Sequence, residues 1–398
     1  MNQKKSTLES TKIAVLIPDG ESHLLIYVVN CLSQIPGISI FVMSSLKWNP
    51  VRFSKHISKF IYHPATQNDR LWIQTINAEV KNNNIEVIMP IFEKGIRRII
   101  ENKQSLDQKS RLVPLPDLNT FTTTINKWKL ARYCTTNKLP IPKSFTYKPG
   151  DDLSTTFLNE IRFPVIVKPL EGFGGGLGIH VFTHMKELQK YVSKTVHYSI
   201  IVQEFIEGYD IDCSILAKDG KIIAYTIQKG YMQGESPYAP QIGLQFLNNP
   251  KLLEVVENLI RSLCWDGIAH LDLRYDENDN TYKIIELNPR FWASVDASCL
   301  MGINFPHLLI QQTLGYEIQK TQYKHEKYLN LKGFVKTLRK RPFFLRQVTF
   351  ILRNTQFRFV IYDMAPTIFK FLDRSKNLLL LYVRKNGHKR KPMPICRD

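Results

Sequence analysis

Residues 264–294, CWDGIAHLDLRYDENDNTYKIIELNPRFWAS, contain the pattern that decides the fold of this chain. Two runs with strand character, Ile268–Tyr275 and Thr281–Leu287, flank five residues rich in Asp and Asn, 276–280. Asp and Asn favour turns because their side chains hydrogen-bond to the nearby backbone. The pattern therefore predicts a β-hairpin.

The predicted pairing across this hairpin brings polar side chains together. If the hairpin is symmetric about Asp279, Asp272 stands opposite Glu286 and His270 stands opposite Asn288. Strand alternation puts three side chains of the second run on that face: Ile284, Glu286 and Asn288. Two neighbouring carboxylates repel each other, so a cation is expected between them. All-oxygen ligands favour a hard divalent ion, and the sequence therefore predicts Mg²⁺ or Mn²⁺ here.

The composition is that of a globular protein with more than one domain. The chain has 398 residues, of which 43% are hydrophobic and 22% charged, and this suits two or three domains. Its six cysteines form no CxxC spacing, so neither a disulfide framework nor a zinc cluster is indicated, and we expect a cytoplasmic location. No apolar run reaches the roughly 18 residues that span a bilayer.

The positive charge is concentrated at the C-terminal end. Residues 321–398 contain 19 Lys and Arg against 4 Asp and Glu, a net charge of +15 out of +19 for the whole chain. Within them, Leu338–Arg358 and Phe369–Tyr382 mix basic with apolar residues. One interpretation is a basic amphipathic segment on an anionic membrane, at the inner membrane face, or on another anionic partner. The other is a helical cap with solvated charges. No recognised nucleic-acid module is present, so no specific nucleic-acid partner is expected.

Strands alternate with helices in the first third of the chain, which predicts a parallel α/β sheet. The predicted strands are Lys12–Ile17, Ile38–Met43 and Ile85–Pro90, and the predicted helices lie near Leu24–Gln34, Leu71–Asn82 and Gly95–Glu101. Glu93 follows the third strand. It either lines a crevice at the carboxyl edge of the sheet or is a surface carboxylate. Further along, a single helix is predicted over Thr120–Lys138.

A glycine-rich loop follows a buried strand that ends in a lysine. The strand Phe163–Pro169 contains Lys168, and the loop contains five glycines within seven residues: Gly172, Gly174, Gly175, Gly176 and Gly178. Glycines let backbone N–H groups approach anionic oxygens, and a lysine adds a point charge. The pattern favours a phosphate cradle over a ligand-free hairpin. It is neither a Walker A loop nor a dinucleotide fingerprint, because the GK[ST] ending is absent and a strand follows.

Two further segments carry candidate binding groups. Residues 203–210, QEFIEGYD, follow a predicted strand, and could present backbone groups to an adenine edge and carboxylates to ribose, or form a solvated acidic turn. Arg290 lies two residues beyond Asn288 and is expected to project toward the same face. A guanidinium there could clamp a phosphoryl or carboxylate group with two hydrogen bonds.

These motifs, in this order and rough spacing, resemble the ATP-grasp superfamily, which includes D-alanine–D-alanine ligase, biotin carboxylase and the large subunit of carbamoyl-phosphate synthetase. The segment IELNPRFWAS is most similar to that of predicted carboxylate–amine ligases. The resemblance implies an α/β (α+β) chain with three parts. Residues 1–118 form an N-terminal parallel α/β domain, residues 119–315 an ATP-grasp domain with a mobile lid at about 141–205, and residues 316–398 a basic extension.

The resemblance also implies a role for each matching residue. Lys127 and Lys168 contact the nucleotide phosphates, and the glycine loop closes over them. The segment that meets the base and ribose is Gln203, Glu204, Phe205, Ile206 and Asp210, with Glu207 as an alternative ribose-binding acid to Asp210. The magnesium ligands are Asp272, Glu286 and Asn288, and Arg290 lies near the transferred phosphoryl group. Two departures stand out: Leu177 replaces a basic residue that is common in the loop, and Asp210 is shorter than the usual Glu.

The function that the resemblance implies is an ADP-forming ligase, which uses ATP and Mg²⁺ to join a small carboxylate to an amine. Acceptor pockets are expected around Lys229, Tyr231, Arg290 and residues 236–245. Two alternatives stay open: an ATP-binding protein without turnover, and an ATP-dependent carboxylase or kinase on the same framework. The identity of both substrates, and whether the chain forms a homodimer, also stay open.

Overall fold

The computed structural model describes residues 12–151, 161–171, 178–195, 197–234 and 239–387. Within them the chain forms three sheets, of five, four and six strands, flanked by helices.

The first sheet is parallel, as predicted, with strand order β3-β2-β1-β4-β5. Its strands are β1 (Ile13–Ile17), β2 (Ile38–Ser44), β3 (Ile57–Tyr62), β4 (Val87–Ile88) and β5 (Arg111–Leu112), and its helices are α1 (Leu25–Leu32), α2 (Asp69–Asn83) and α3 (Glu93–Glu101). The sequence analysis missed β3 and β5, which form the two edges. β3 has no buried residue and β5 has only two residues, so neither shows the apolar run that marks a buried strand.

The second sheet is antiparallel and carries the predicted lysine strand. Its order is β6-β9-β7-β8, and its elements are β6 (Ser144–Tyr147), β7 (Val165–Pro169), β8 (His180–Phe182), α6 (Met185–Thr195) and β9 (Ile200–Glu204). Two helices precede it, α4 (Leu118–Ile125) and α5 (Lys127–Thr136). The single helix predicted here was wrong because Asn126 ends α4 with an extended backbone and caps α5, accepting a hydrogen bond from the Lys129 N–H.

The third sheet is antiparallel, with order β14-β13-β10-β11-β12-β15. Its strands are β10 (Gly208–Lys218), β11 (Lys221–Met232), β12 (Gly243–Phe246), β13 (Gly267–Asp276), β14 (Thr281–Asn288) and β15 (Lys327–Leu329). Helix α7 (Pro250–Ser262) packs on one face through an apolar core that includes Leu259, Cys213 and Leu271. Burying that face leaves the other face of the sheet for polar side chains.

The β13–β14 hairpin has the predicted register at Asp272 and Glu286, but its register near the turn differs from the prediction. Asp272 pairs with Glu286 and His270 with Asn288, as predicted. A β-bulge then shifts the register, so that Leu273 pairs with Ile284. The expectation that Ile284 shares a face with Glu286 was therefore wrong. The extra residue reverses the alternation, and Ile284 is buried in the apolar core under α7.

Helices α8 (Val295–Met301) and α9 (Phe305–Leu314) follow the hairpin and pack against α1, which joins the first sheet to the third. Beyond them, β15 adds an edge strand to the third sheet, beside β12. The rest of the described extension is helical: α10 (Leu331–Lys340), α11 (Val348–Asn354), α12 (Phe357–Tyr362) and α13 (Ala365–Gly387). No helix among the described residues is long and apolar enough to cross a membrane.

The extension packs on both preceding parts of the chain. Phe334, Phe344 and Ile351 form a small core with Leu329 of β15. Farther along, the Phe369 ring in α13 lies 4.5 Å from the Phe53 ring of the N-terminal part, centroid to centroid. The described part of the extension is thus a helical cap, which is one of the two interpretations given for its sequence.

A buried carboxyl group joins the three parts of the fold. Asp296 in α8 has no solvent exposure. It accepts hydrogen bonds from Asn30 Nδ2 (3.1 Å), Gln356 Nε2 (3.2 Å) and the Tyr328 hydroxyl (3.3 Å). Burial raises the pKa of Asp296 to about 7. Asn30 belongs to α1, whereas Tyr328 and Gln356 both belong to the extension, so the first and last parts of the chain hold one side chain of the central part.

Candidate active site

The three predicted metal ligands lie together at the open edge of the third sheet. Asp272 faces Glu286 across the β13–β14 pairing, and Asn288 Nδ2 donates to Asp272 Oδ2 at 3.2 Å. Lys127 Nζ, at the start of α5, lies 3.1 Å from Glu286 Oε1. Carboxylate and amide oxygens thus converge from two neighbouring strands, beside a lysine that partly balances their charge.

Arg290 connects this cluster to the N-terminal part of the chain. Its Nη2 donates to Asn288 Oδ1 at 2.9 Å, and its Nε donates to Glu93 Oε1 at 2.9 Å. A third bond, from Nη1 to the Phe291 carbonyl, also measures 2.9 Å. Of the two interpretations of Glu93, the structure therefore favours the crevice. A carboxylate at the start of α3 thus fixes the guanidinium that stands beside the predicted metal ligands of the third sheet.

Asp19 fixes the backbone that leads into the helix carrying Glu93. Its buried carboxyl accepts hydrogen bonds from the backbone N–H groups of Ile91 (3.0 Å) and Phe92 (2.8 Å), just before α3 begins. Burial raises the pKa of Asp19 to about 7. A Cβ at Gly95 would lie 2.3 Å from Asp19 Oδ2, so this approach requires a glycine.

Lys168 is buried and held by the neighbouring strand. Its Nζ donates to Gln203 Oε1 at 3.1 Å, and Gln203 Nε2 donates in turn to Ser144 Oγ at 2.9 Å. Burial lowers the pKa of Lys168 to about 8, although the charge of Glu286 acts in the opposite direction. The Gln203 side chain thus holds the Lys168 ammonium group in position.

Two polar residues that the sequence analysis did not assign to the metal site complete the cluster. Asp212, His270 and Asp272 place ligand atoms within 4.8 Å of one another. His270 Nε2 lies 3.4 Å from Asp272 Oδ1, and its Nδ1 bonds with Ser214 Oγ at 2.9 Å. Asp212 was missed because local sequence does not show which strands pair. Asp212 pairs with Asp272 in register, and this pairing is a long-range one.

The pKa values of the two aspartates move in opposite directions. Burial, reinforced by the charge of Asp272, raises the pKa of Asp212 to about 7. Burial also acts to raise the pKa of Asp272, but the hydrogen bond and charge of His270, with Arg290 and Lys127, lower it below its ordinary value. Two half-buried carboxyl groups that oppose each other's ionisation form a donor set that a divalent cation would stabilise. The residues present therefore fit Mg²⁺ or Mn²⁺.

The predicted base-and-ribose segment lies across the end of β13. Arg274 donates from Nε to the Ile206 carbonyl at 2.6 Å and from Nη2 to the Gly208 carbonyl at 2.8 Å. Its Nη1 lies 2.6 Å from Oδ1 of Asp210, the predicted ribose ligand, which is largely exposed. Arg274 also contacts the ring of Phe205. The sequence analysis gave Arg274 no role, although it shared the predicted face with Asp272.

Two further predictions concern the glycine loop and Lys229. Gly172, Gly174, Gly175 and Gly176 lie outside the described residues; Gly178 has a left-handed φ of +74°. Lys229 was expected in an acceptor pocket, and this was wrong. Its neighbour Gln228 faces Asp212, so alternation turns Lys229 to the opposite face of the sheet, where its Nζ lies 3.2 Å from the centre of the Tyr209 ring.

Comparison with known proteins identifies the domain that carries this site. A family described as "RimK-like ATP-grasp domain" matches residues 124–235, and one described as "ATP-grasp in the biosynthetic pathway with Ter operon" matches residues 197–333. The chain is 23% identical to a D-aspartate ligase of Enterococcus faecium, over 66% of this chain and 68% of that protein. It is 25% identical to a D-alanine–D-alanine ligase of Carboxydothermus hydrogenoformans, over 42% of this chain and 59% of that protein.

Solved structures show the same fold at low identity. The N5-carboxyaminoimidazole synthetase of Staphylococcus aureus, complexed with ADP, superposes with a TM-score of 0.64 at 15% identity, over 86% of this chain and 88% of that one. The L-amino acid ligase of Bacillus licheniformis gives a TM-score of 0.55 at 17% identity, over 80% and 76%. The two family matches overlap and together span residues 124–333, so this part of the chain, which carries Asp272 and Glu286, is an ATP-grasp domain.

Proposed function

We propose that this chain is an ADP-forming ligase that activates a carboxylate with ATP and joins it to an amine. One observation carries the proposal: Asp272, Glu286 and Asn288 lie together, with Lys127 on one side and Arg290 on the other. This arrangement offers oxygen ligands for a metal–phosphate complex and two cations to balance phosphoryl charge. Several relatives are named as ligases of amino acids, which supports an amino acid as one substrate class.

The proposed reaction has two bond-forming steps. A carboxylate oxygen of the acid attacks the γ-phosphorus, the bond to the β-phosphate oxygen breaks, and ADP leaves with the electron pair. The amine nitrogen then attacks the carbonyl carbon of the acylphosphate, inorganic phosphate leaves, and the nitrogen loses a proton as the amide forms. When bound, a Mg²⁺ ion held by Asp272, Glu286 and Asn288 supplies positive charge to the phosphate oxygens.

The chain's own residues bind and orient the reactants in this scheme. Lys127 and Lys168 contact the phosphates as point charges, and Arg290 stabilises the phosphoryl group during transfer. The segment from Gln203 to Asp210 receives the nucleoside. The second sheet, with the glycine loop, covers the acylphosphate and keeps out water that would otherwise hydrolyse it.

A phosphate-release screen tests the proposal. Purified protein with ATP and Mg²⁺ is offered pairs of acids and amines drawn from amino acids, sugar acids and short peptides. We expect rapid phosphate release only when one acid and one amine are both present, with a product whose mass equals acid plus amine minus water. ATP binding without ADP formation across the whole panel would instead indicate a binding protein. Turnover with bicarbonate as the acid would indicate a carboxylase.

The depressed pKa of Lys168 predicts how nucleotide affinity depends on pH. Only the protonated amine attracts phosphate, so ATP affinity should be constant below the Lys168 pKa of about 8. Above it, affinity should fall by up to about tenfold per pH unit. Calorimetric titration of ATP through the alkaline range measures this. Lys168→Arg is the matched control, because arginine stays protonated and should flatten the profile. A wild-type affinity unchanged above that pKa would show that Lys168 does not contact the phosphates.

A further inference from the structure

The C-terminal extension carries a concentration of exposed apolar side chains that its packing does not use. Of the twenty large hydrophobic side chains exposed within the described chain, eleven lie between residues 335 and 372. Scattered single apolar residues are ordinary on protein surfaces, but a dense group marks an interaction site. The extension is therefore more than a cap over the other parts of the fold.

In α13 the exposed apolar residues form a stripe. Ile368, Phe371 and Leu372 are spaced as neighbours on one helix face, and each is more than half exposed. Pro366 is buried and Phe369 stacks on Phe53, so the helix attaches to the protein through a different face. The helix thus has one apolar face that holds it in place and a second that is turned outward.

A second exposed apolar group lies in the turn between α10 and α11. Phe343 and Leu345 are 74% and 55% exposed. Exposed basic residues surround them in sequence: Arg339, Lys340, Arg341 and Arg346. The Arg346 guanidinium lies 4.9 Å from the centre of the Phe343 ring. Aromatic side chains beside arginines suit the boundary between lipid tails and headgroups, since long basic side chains extend their charge toward the phosphates.

Charge decides between the partners that could cover this surface. Residues 331–376 contain eleven Lys and Arg against two Asp, a net charge of +9. A second copy of the chain, docked through the same surface, would bring equal positive charges together. An anionic bilayer instead offers negative headgroups directly above an apolar interior. Each basic residue near such a surface adds electrostatic attraction.

We propose that the extension docks on an anionic lipid bilayer through two exposed apolar groups, Ile368, Phe371 and Leu372 of α13 and Phe343 and Leu345 of the turn between α10 and α11. The surface lies outside the ATP site, so the proposal goes beyond the proposed ligase activity and does not depend on it. Docking would hold the enzyme at a membrane face while its catalytic cleft stays in water.

Vesicle co-sedimentation of the full-length protein tests the proposal without nucleotide or substrate. We expect the protein to pellet with phosphatidylcholine vesicles that contain phosphatidylglycerol, not with phosphatidylcholine alone, and to be released as salt is raised. Replacing Ile368, Phe371 and Leu372 together by Ser should lower the partition coefficient by about tenfold or more. Replacing Phe343 and Leu345 by Ser should lower it as well. All five side chains are exposed, so the thermal unfolding midpoint should stay near that of the wild type.

A control replaces three other exposed apolar side chains, Tyr62, Leu71 and Val181, which are 37–49% exposed, by Ser. This variant should bind vesicles like the wild type. The proposal is overturned if the wild type ignores anionic vesicles, or if neither extension variant weakens binding. It is also overturned if light scattering shows a dimer that only the α13 variant dissociates, because the surface would then join two copies. Capture of an acidic protein by the same surface, with no vesicle binding, would likewise replace the bilayer with a protein partner.

Discussion

Glu286→Gln is expected to lower ATP-dependent phosphate release by about 10³-fold, because it removes one charged ligand of the proposed metal site. The substitution nearly preserves side-chain shape, so the protein should fold. It also leaves Lys127 Nζ, 3.1 Å from Glu286 Oε1, without its carboxylate partner. Steady-state phosphate release measures the loss, and titration with Mg²⁺ or Mn²⁺ should show weaker apparent metal affinity.

The hairpin itself supplies a matched control for this variant. Glu277 lies in the turn of the same hairpin and is exposed. Glu277→Gln makes the same chemical change away from the site and should leave phosphate release within about twofold, as surface substitutions usually do. If Glu286→Gln were equally active, the assignment of Glu286 as a metal ligand would be wrong.

Arg290→Lys is expected to lower kcat by about 10²-fold while changing the KM for ATP little. Lysine keeps the positive charge but cannot reproduce the three bonds of the guanidinium, to Glu93, Asn288 and the Phe291 carbonyl. A charge that is present but misplaced should bind the ground state almost normally and stabilise the transferring phosphoryl group poorly.

The contact with Glu93 allows the positioning of Arg290 to be tested separately from its charge. Glu93→Gln keeps a hydrogen-bond acceptor and should lower kcat by only about fivefold, since Arg290 retains its other two partners. Combining both substitutions should cost less than the product of the two separate losses, because both act through one contact. If Arg290→Lys had the same kcat as the wild type, the proposal that Arg290 stabilises the transferring phosphoryl group would be wrong.

The sequence predicts the centre of the site better than its surroundings. Strand alternation and a turn were enough to pair Asp272 with Glu286, because both lie on one hairpin. The bulge beside them was not predictable, since a single extra residue leaves no compositional trace. Its effect is nevertheless local: it places Ile284 in the core and leaves the ligand pairing intact.

Contacts that join distant parts of the chain escaped the sequence analysis for a different reason. Asp212 pairs with Asp272 across two strands that are sixty residues apart in sequence, and Glu93 reaches Arg290 from helix α3 of the N-terminal part. Neither follows from local periodicity, because each depends on how whole elements pack. The helical extension shows the same limit, since its basic and apolar composition did not reveal which of its residues pack on the preceding parts of the chain and which stay exposed.

The buried carboxyl of Asp296 has a practical consequence for dissecting this protein. A chain shortened at about residue 320 would lose both Tyr328 and Gln356, two of the three donors to that group, and with them the edge strand beside β12. The shortened protein would still bury the Asp296 carboxyl group but would lack most of its hydrogen-bond donors. This would lower the free energy of unfolding by about 1–3 kcal/mol. Removing the basic region by such a cut would therefore damage the enzyme itself. Point substitutions on the outer surface of the extension separate membrane docking from support of the fold, whereas a deletion removes both.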